Sequence, residues 1–93
     1  MNDEKPGVSI KFSVFTDDGN GYIEVNGDDV LLTAPKHLKL KKSYLDSLNK
    51  GADLPMTKTQ VTLAYYDLFG SRDELKFAMN AAEFRALKKI LGK

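Results

Sequence analysis

The closing stretch, Glu74-Leu-Lys-Phe-Ala-Met-Asn-Ala-Ala-Glu-Phe-Arg-Ala-Leu-Lys-Lys-Ile-Leu91, admits two structures, and the choice between them decides the fold. Nearly every residue is a good helix former, and Ser71-x-x-Glu74 has the form of a capping box, so propensity favours one helix over 72–91. The apolar positions disagree. On one continuous helix Phe77, Phe84, Leu87 and Leu91 fall opposite Leu75, Met79, Ala82 and Ile90, and no single core face forms. A break at Asn80 removes the conflict. Leu75, Phe77 and Met79 then alternate as a strand, while Phe84, Leu87 and Leu91 repeat at helical spacing. Asn80 is a suitable N-cap with Glu83 at the third helical position, and Gly92 is a suitable stop.

Working outward, Val61-Thr-Leu-Ala-Tyr-Tyr-Asp-Leu-Phe69 is rich in β formers and alternates, with Gly70-Ser-Arg-Asp73 as a four-residue hairpin loop into the closing strand. Near the start, Val8, Ile10, Phe12 and Val14 alternate with polar residues, the period of a half-buried strand. Asp17-Asp-Gly-Asn-Gly21 is turn chemistry, and Tyr22–Val25 is a second strand. Asn26-Gly27 suggests a type I′ turn that sets Val25 opposite Asp28 and Glu24 opposite Asp29. Ile23, Val25, Val30, Leu32 and Ala34 then share a face. Pro35 ends a third strand. Lys36 to Lys42 reads as an extended basic lead-in to a short helix over 43–50, capped by Ser43 and stopped by Gly51, and Ala52 to Gln60 as a surface loop. Residues 1–6 read as a flexible terminus.

These elements predict one α+β domain over residues 1–93, a mainly antiparallel five-stranded sheet in the order β-β-β-α-β-β-α, packed by the C-terminal helix. Ninety-three residues suffice for one modest core. There is no cysteine, hence no disulfide framework and no thiolate metal site. The polar opening residues do not resemble a signal peptide, and no apolar run approaches a membrane span, so a cytoplasmic protein without membrane contact is expected.

The net charge of +1 conceals a segregation: residues 1–33 carry −5, residues 34–60 carry +4 and residues 61–93 carry +2. No catalytic set emerges. The one histidine, His37, stands among lysines, and no Ser, Thr or Cys nucleophile is paired with a base. Asp17–Gly21 lacks the ligand spacing and the distal glutamate of a calcium loop, and no glycine-rich phosphate loop is present. The sequence therefore predicts no enzyme, no metal and no cofactor.

Binding remains. One candidate surface, for a protein partner, is the acidic hairpin of Asp17, Asp18, Glu24, Asp28 and Asp29 with Tyr22 and Tyr66. Phe15 and Phe69 are further aromatics outside the core register. A small, charge-polarised domain of this kind suits an inhibitor or adaptor, such as the anti-defence proteins encoded by phage and mobile elements. The alternative is a single-stranded DNA or RNA partner on Lys36, Lys39, Lys41 and Lys42 with Tyr44. A sheet covered by one helix leaves apolar surface, so both a monomer and a homodimer are compatible with the pattern.

Overall fold

The computed structural model describes residues 9–93; the expected terminus at 1–6 and Val8 lie outside them. Seven strands precede one helix: β1 Ser9–Thr16, β2 Gly19–Asn26, β3 Asp29–Leu32, β4 Leu38–Lys41, β5 Leu45–Leu54, β6 Lys58–Tyr66, β7 Arg72–Asn80 and α1 Ala81–Leu91. They form a single antiparallel sheet in the order β4-β3-β2-β1-β7-β6-β5. Two meanders, β1–β4 and β5–β7, thus meet at its middle, where Phe15 pairs with Ala78.

The general α+β class holds, but the expected five strands and their order do not. Two segments make the difference. Leu38–Lys41 is a full strand paired with β3. The expected helix over 43–50 is instead a single 3-10 turn, Lys42–Tyr44, followed by ten-residue β5. The reason is a register shift between Leu45 and Ser47. The extra residue lets Leu45 and Leu48, three apart, face the same core, and that spacing imitates a helix. A second shift between Lys50 and Asp53 hides the continuation of the strand, so the expected loop over 52–60 is the tight hairpin of β5 and β6.

The first hairpins also differ in detail. Val25 pairs with Val30 and Glu24 with Leu31, which makes Gly27-Asp28 the two-residue turn. Gly27 takes φ +60° and Asp28 does not take positive φ, the pattern of a turn demanding glycine at its first central position only. The displacement from the expected register is two residues, so every side chain keeps its face.

The closing segment breaks at Asn80. The Asn80 side chain accepts hydrogen bonds from the backbone N–H groups of Ala82 (2.9 Å) and Glu83 (3.1 Å). Ala81 N–H is taken by the Thr57 carbonyl at 2.9 Å, which fastens the β5–β6 turn to the start of the helix. At the other end Gly92 takes φ +70° and donates to the Lys88 carbonyl at 2.9 Å. Asn80→Ala is expected to cost about 1 kcal/mol, as loss of an N-cap does, whereas Asn80→Asp should retain most of the stability. Urea unfolding of the two variants distinguishes a cap from a merely tolerated turn residue.

The core lies on one face of the sheet. Seven flat strands would span roughly 29 Å between their outermost members. Only residues 42–44 join the two edge strands, and the four steps from Lys41 to Leu45 reach at most about 14 Å. The sheet must therefore roll until its edges approach each other, with α1 against β6 and β7 inside the roll. The connecting turn and β5 both reach α1: Lys42 Nζ lies 3.4 Å from the Ile90 carbonyl, and Lys88 Nζ donates to the Leu48 carbonyl at 2.7 Å. Phe84, Leu87 and Leu91 enter the same buried cluster as Val14, Ile23, Leu32 and Met79.

Candidate functional site

β6 and β7 pair as far as Tyr66 and Arg72, leaving the five residues Asp67–Ser71 as the loop. Asp67 organises it. Its Oδ1 accepts from the N–H groups of Phe69 (2.8 Å) and Ser71 (2.9 Å), and its own N–H donates to the Ser71 carbonyl at 2.9 Å. Gly70 donates to the Asp67 carbonyl at 3.1 Å and takes φ +82°. This is the backbone mimicry for which Asp is favoured in turns. The brace uses the polar groups of the loop and leaves its two apolar side chains outside: Leu68 is 84% exposed and Phe69 93%.

On its β1 side the hairpin has, among the described residues, an unpaired edge, while β5 accompanies β6 as far as Tyr65. With Phe15 level with Ala78, β1 ends opposite Phe77, and Arg72–Lys76 extend roughly 16 Å beyond it. Charged groups support the base of this extension. Arg72 Nε donates to Asp46 Oδ2 at 2.9 Å and its Nη1 to Glu74 Oε2 at 3.1 Å, tying β7 to the bulge of β5. Asp46, foremost, and Glu74 raise the Arg72 pKa. The Asp73 carboxylate accepts from Glu74 N–H (2.8 Å) and the Tyr65 hydroxyl (3.2 Å), and Lys36 stands 3.8 Å away. These contacts, the Glu74 N–H first, hold Asp73 below the usual carboxylate range. A depressed carboxylate pKa means that these Asp73 contacts are present at neutral pH and are lost as pH falls through the folded-state value.

The acidic residues singled out in the sequence do not form one surface. Asp17 and Asp18 occupy the β1–β2 turn, while Asp28 and Asp29 sit at the β2–β3 turn. The eight residues of β2 between those turns put them roughly 26 Å apart. Asp29 pairs with Lys41 at 2.6 Å, and Glu24 accepts from the Ser9 hydroxyl. Tyr22 lies half-buried with Lys11 Nζ 4.6 Å from its ring centroid. Tyr66 stands at the end of β6, next to the Asp67–Ser71 loop, and is 41% exposed.

The lysine-rich segment is likewise distributed. Lys36 reaches Asp73, Lys41 reaches Asp29, and Lys42 points to the C-terminal carbonyls of α1, where a cation complements the helix dipole. Lys39 lies on β4 opposite Leu31, and Tyr44 is in the 3-10 turn. Leu68 was not legible as a site residue. Its signal was an apolar pair, Leu68-Phe69, enclosed between Asp67 and Gly70-Ser71, where turn residues would be ordinary.

Among the described residues no group of three or more His, Asp or Glu side chains converges as a metal ion would require, and no helix is long and apolar enough to cross a membrane. The fold and site together define a rolled antiparallel sheet around one helix, with an apolar-tipped hairpin loop at one end. No protein-family model and no curated protein matches the chain.

Proposed function

We propose that this protein is a non-enzymatic protein-binding module, an inhibitor or adaptor, that engages its partner with the tip of the β6–β7 hairpin. The observation that carries the reading is the presentation of Leu68 and Phe69 to solvent on a loop already held by its own hydrogen bonds. Large side chains left outside cost solubility and add nothing to the fold, whereas a pre-formed loop spends little conformational entropy on binding. The partner would offer an apolar socket for the two side chains. Its rim would be basic, because Asp46, Asp67, Asp73 and Glu74 outnumber Lys36, Arg72 and Lys76 around the hairpin.

That acidic surround argues against an anionic bilayer as the target. Strand addition is also disfavoured, since β5 is interrupted by two register shifts and β4 is short and carries Lys39 and Lys41. The cations of the 36–42 segment are largely engaged within the molecule, which leaves less for phosphates there.

The test places a photo-crosslinking aromatic at position 69, with a control at the exposed helix residue Arg85. In a lysate of cells that naturally produce the protein, position 69 should yield one stoichiometric adduct, competed by unlabelled wild type and not by Leu68→Ser/Phe69→Ser. Once the partner is in hand, Phe69→Ala should weaken binding by about 2 kcal/mol, roughly thirtyfold in Kd, without changing the melting temperature. No adduct at position 69, or equal labelling from both positions, would refute the proposal. Flotation with anionic vesicles that depends on Leu68 and Phe69 would reassign the tip to a membrane.

A further inference from the structure

A second feature lies on the outer face of the sheet, away from the hairpin tip. The registers Phe15↔Ala78 and Gln60↔Ala78 set these three residues in a row across β1, β7 and β6. Ala78 is small, and beyond Gln60 the bulged β5 contributes Gly51, whose Cα hydrogen faces the Gln60 side chain. The row therefore sinks beside the Phe15 ring into a depression of about 390 Å³, walled also by Thr16, Thr62 and Leu54. That volume is within the range of sites for small ligands.

Cations surround it. Lys76 lines the depression, and Lys58 Nζ lies 4.2 Å from the centroid of the Phe15 ring. Along the same face, Lys11 covers Tyr22 at 4.6 Å. Among the described residues Lys11, Lys58 and Lys76 enter no ion pair. The carboxylates on this face are Asp17, which also lines the depression, Glu24 opposite Lys11, Glu74, two residues from Lys76 and held by Arg72, and Asp29, held by Lys41.

We propose that this face binds single-stranded nucleic acid, with one unpaired base against Phe15 and the adjoining phosphates on Lys58 and Lys76, the strand running on toward Lys11 and Tyr22. An ammonium over a half-buried ring at the surface is a weak contact, and it is readily exchanged for a phosphate contact together with a base stacked on the vacated ring. Paired lysine and aromatic residues thus act as a latch that opens onto a strand. A duplex cannot use the site, because its bases are stacked within the helix and do not reach a depression in a protein surface. Asp17 and Glu24 keep the affinity modest and limit the strand to a few phosphates.

Fluorescence anisotropy with a labelled oligothymidylate of about 12 nucleotides tests this directly. Wild type should bind saturably, and neutralisation of about three phosphates implies a roughly twentyfold weakening between about 50 and 200 mM salt. Lys58→Glu/Lys76→Glu should reduce affinity at least tenfold, and Phe15→Leu about fivefold, while Lys89→Glu on α1 leaves it unchanged. The lysine pair is on the surface, so that variant remains informative even if Phe15→Leu unfolds. Absence of binding would overturn the proposal, as would equal loss in Lys89→Glu or equal affinity for duplex. Displacement of the strand by thymidine monophosphate at equal nucleotide concentration would assign the depression to a free nucleotide and equally overturn it.

Discussion

Leu87→Ala is expected to destabilise the protein by about 3 kcal/mol and to lower its melting temperature by roughly 15 °C. Leu87 is fully buried at the middle of the only apolar stripe on α1, between Phe84 and Leu91. Alanine is the better helix former, but that gain is a few tenths of a kcal/mol and the lost burial with its cavity is several times larger. The cavity should persist. A sheet hydrogen-bonded across seven strands, with residues 42–44 joining its edges, cannot easily collapse onto a missing side chain. Urea unfolding should show a lower midpoint with an unchanged slope, and Arg85→Ala on the exposed side of α1 should stay within about 0.5 kcal/mol of wild type. A loss below about 1 kcal/mol for Leu87→Ala would mean that the helix does not plug the roll.

Gly21→Ala should cost about as much for a different reason. A Cβ at position 21 would stand 2.5 Å from Thr33 Oγ1 and 2.7 Å from Ala34 Cβ, with the Ala34 backbone nitrogen at 3.1 Å. The obstruction is a short side chain and backbone, so neither can swing aside cheaply. Thr33 is itself fixed, since its Oγ1 accepts from Tyr22 N–H at 2.9 Å and its N–H donates to the Tyr22 carbonyl at 3.0 Å. Relief of the overlap would strain those bonds, and overpacking with one weakened hydrogen bond amounts to roughly 2–4 kcal/mol. Thermal unfolding of Gly21→Ala, Thr33→Ala and the double variant checks the mechanism. The double variant should be more stable than the sum of the two losses predicts, because removing Oγ1 removes the closest obstruction. Strict additivity would show that the cost arises elsewhere.

Elements with a clean period were readable from the chain. Leu75, Phe77 and Met79, and then Phe84, Leu87 and Leu91, gave the strand, the helix and the cap at Asn80, because alternation and helical spacing are local properties. The inward faces of β1, β2 and β3 were readable for the same reason, and they survived a hairpin register displaced by two residues. β5 was not readable. Leu45 and Leu48 carry helical spacing on a strand, and only pairing with β6 fixes where the chain bulges.

For the site, Phe69 and Tyr66 stood out as aromatics without a place in the core pattern, but exposure itself is a property of the assembled molecule. The same holds for charge. Composition located the lysines and carboxylates along the chain, while β3–β4 pairing set Lys41 opposite Asp29, the fold brought Lys36 to Asp73 and Lys42 to α1, and the length of β2 separated Asp17 from Asp28. The sequence by itself determined the α+β class, the buried faces of the regular strands and the helix boundary, all set by interactions within a few residues. The tertiary structure alone decided the seven-stranded order, the rolled sheet, the braced hairpin that leaves Leu68 and Phe69 in water, and the depression beside Phe15. Each of these depends on pairing between segments distant in the chain, and pairing leaves no periodic trace in either segment alone.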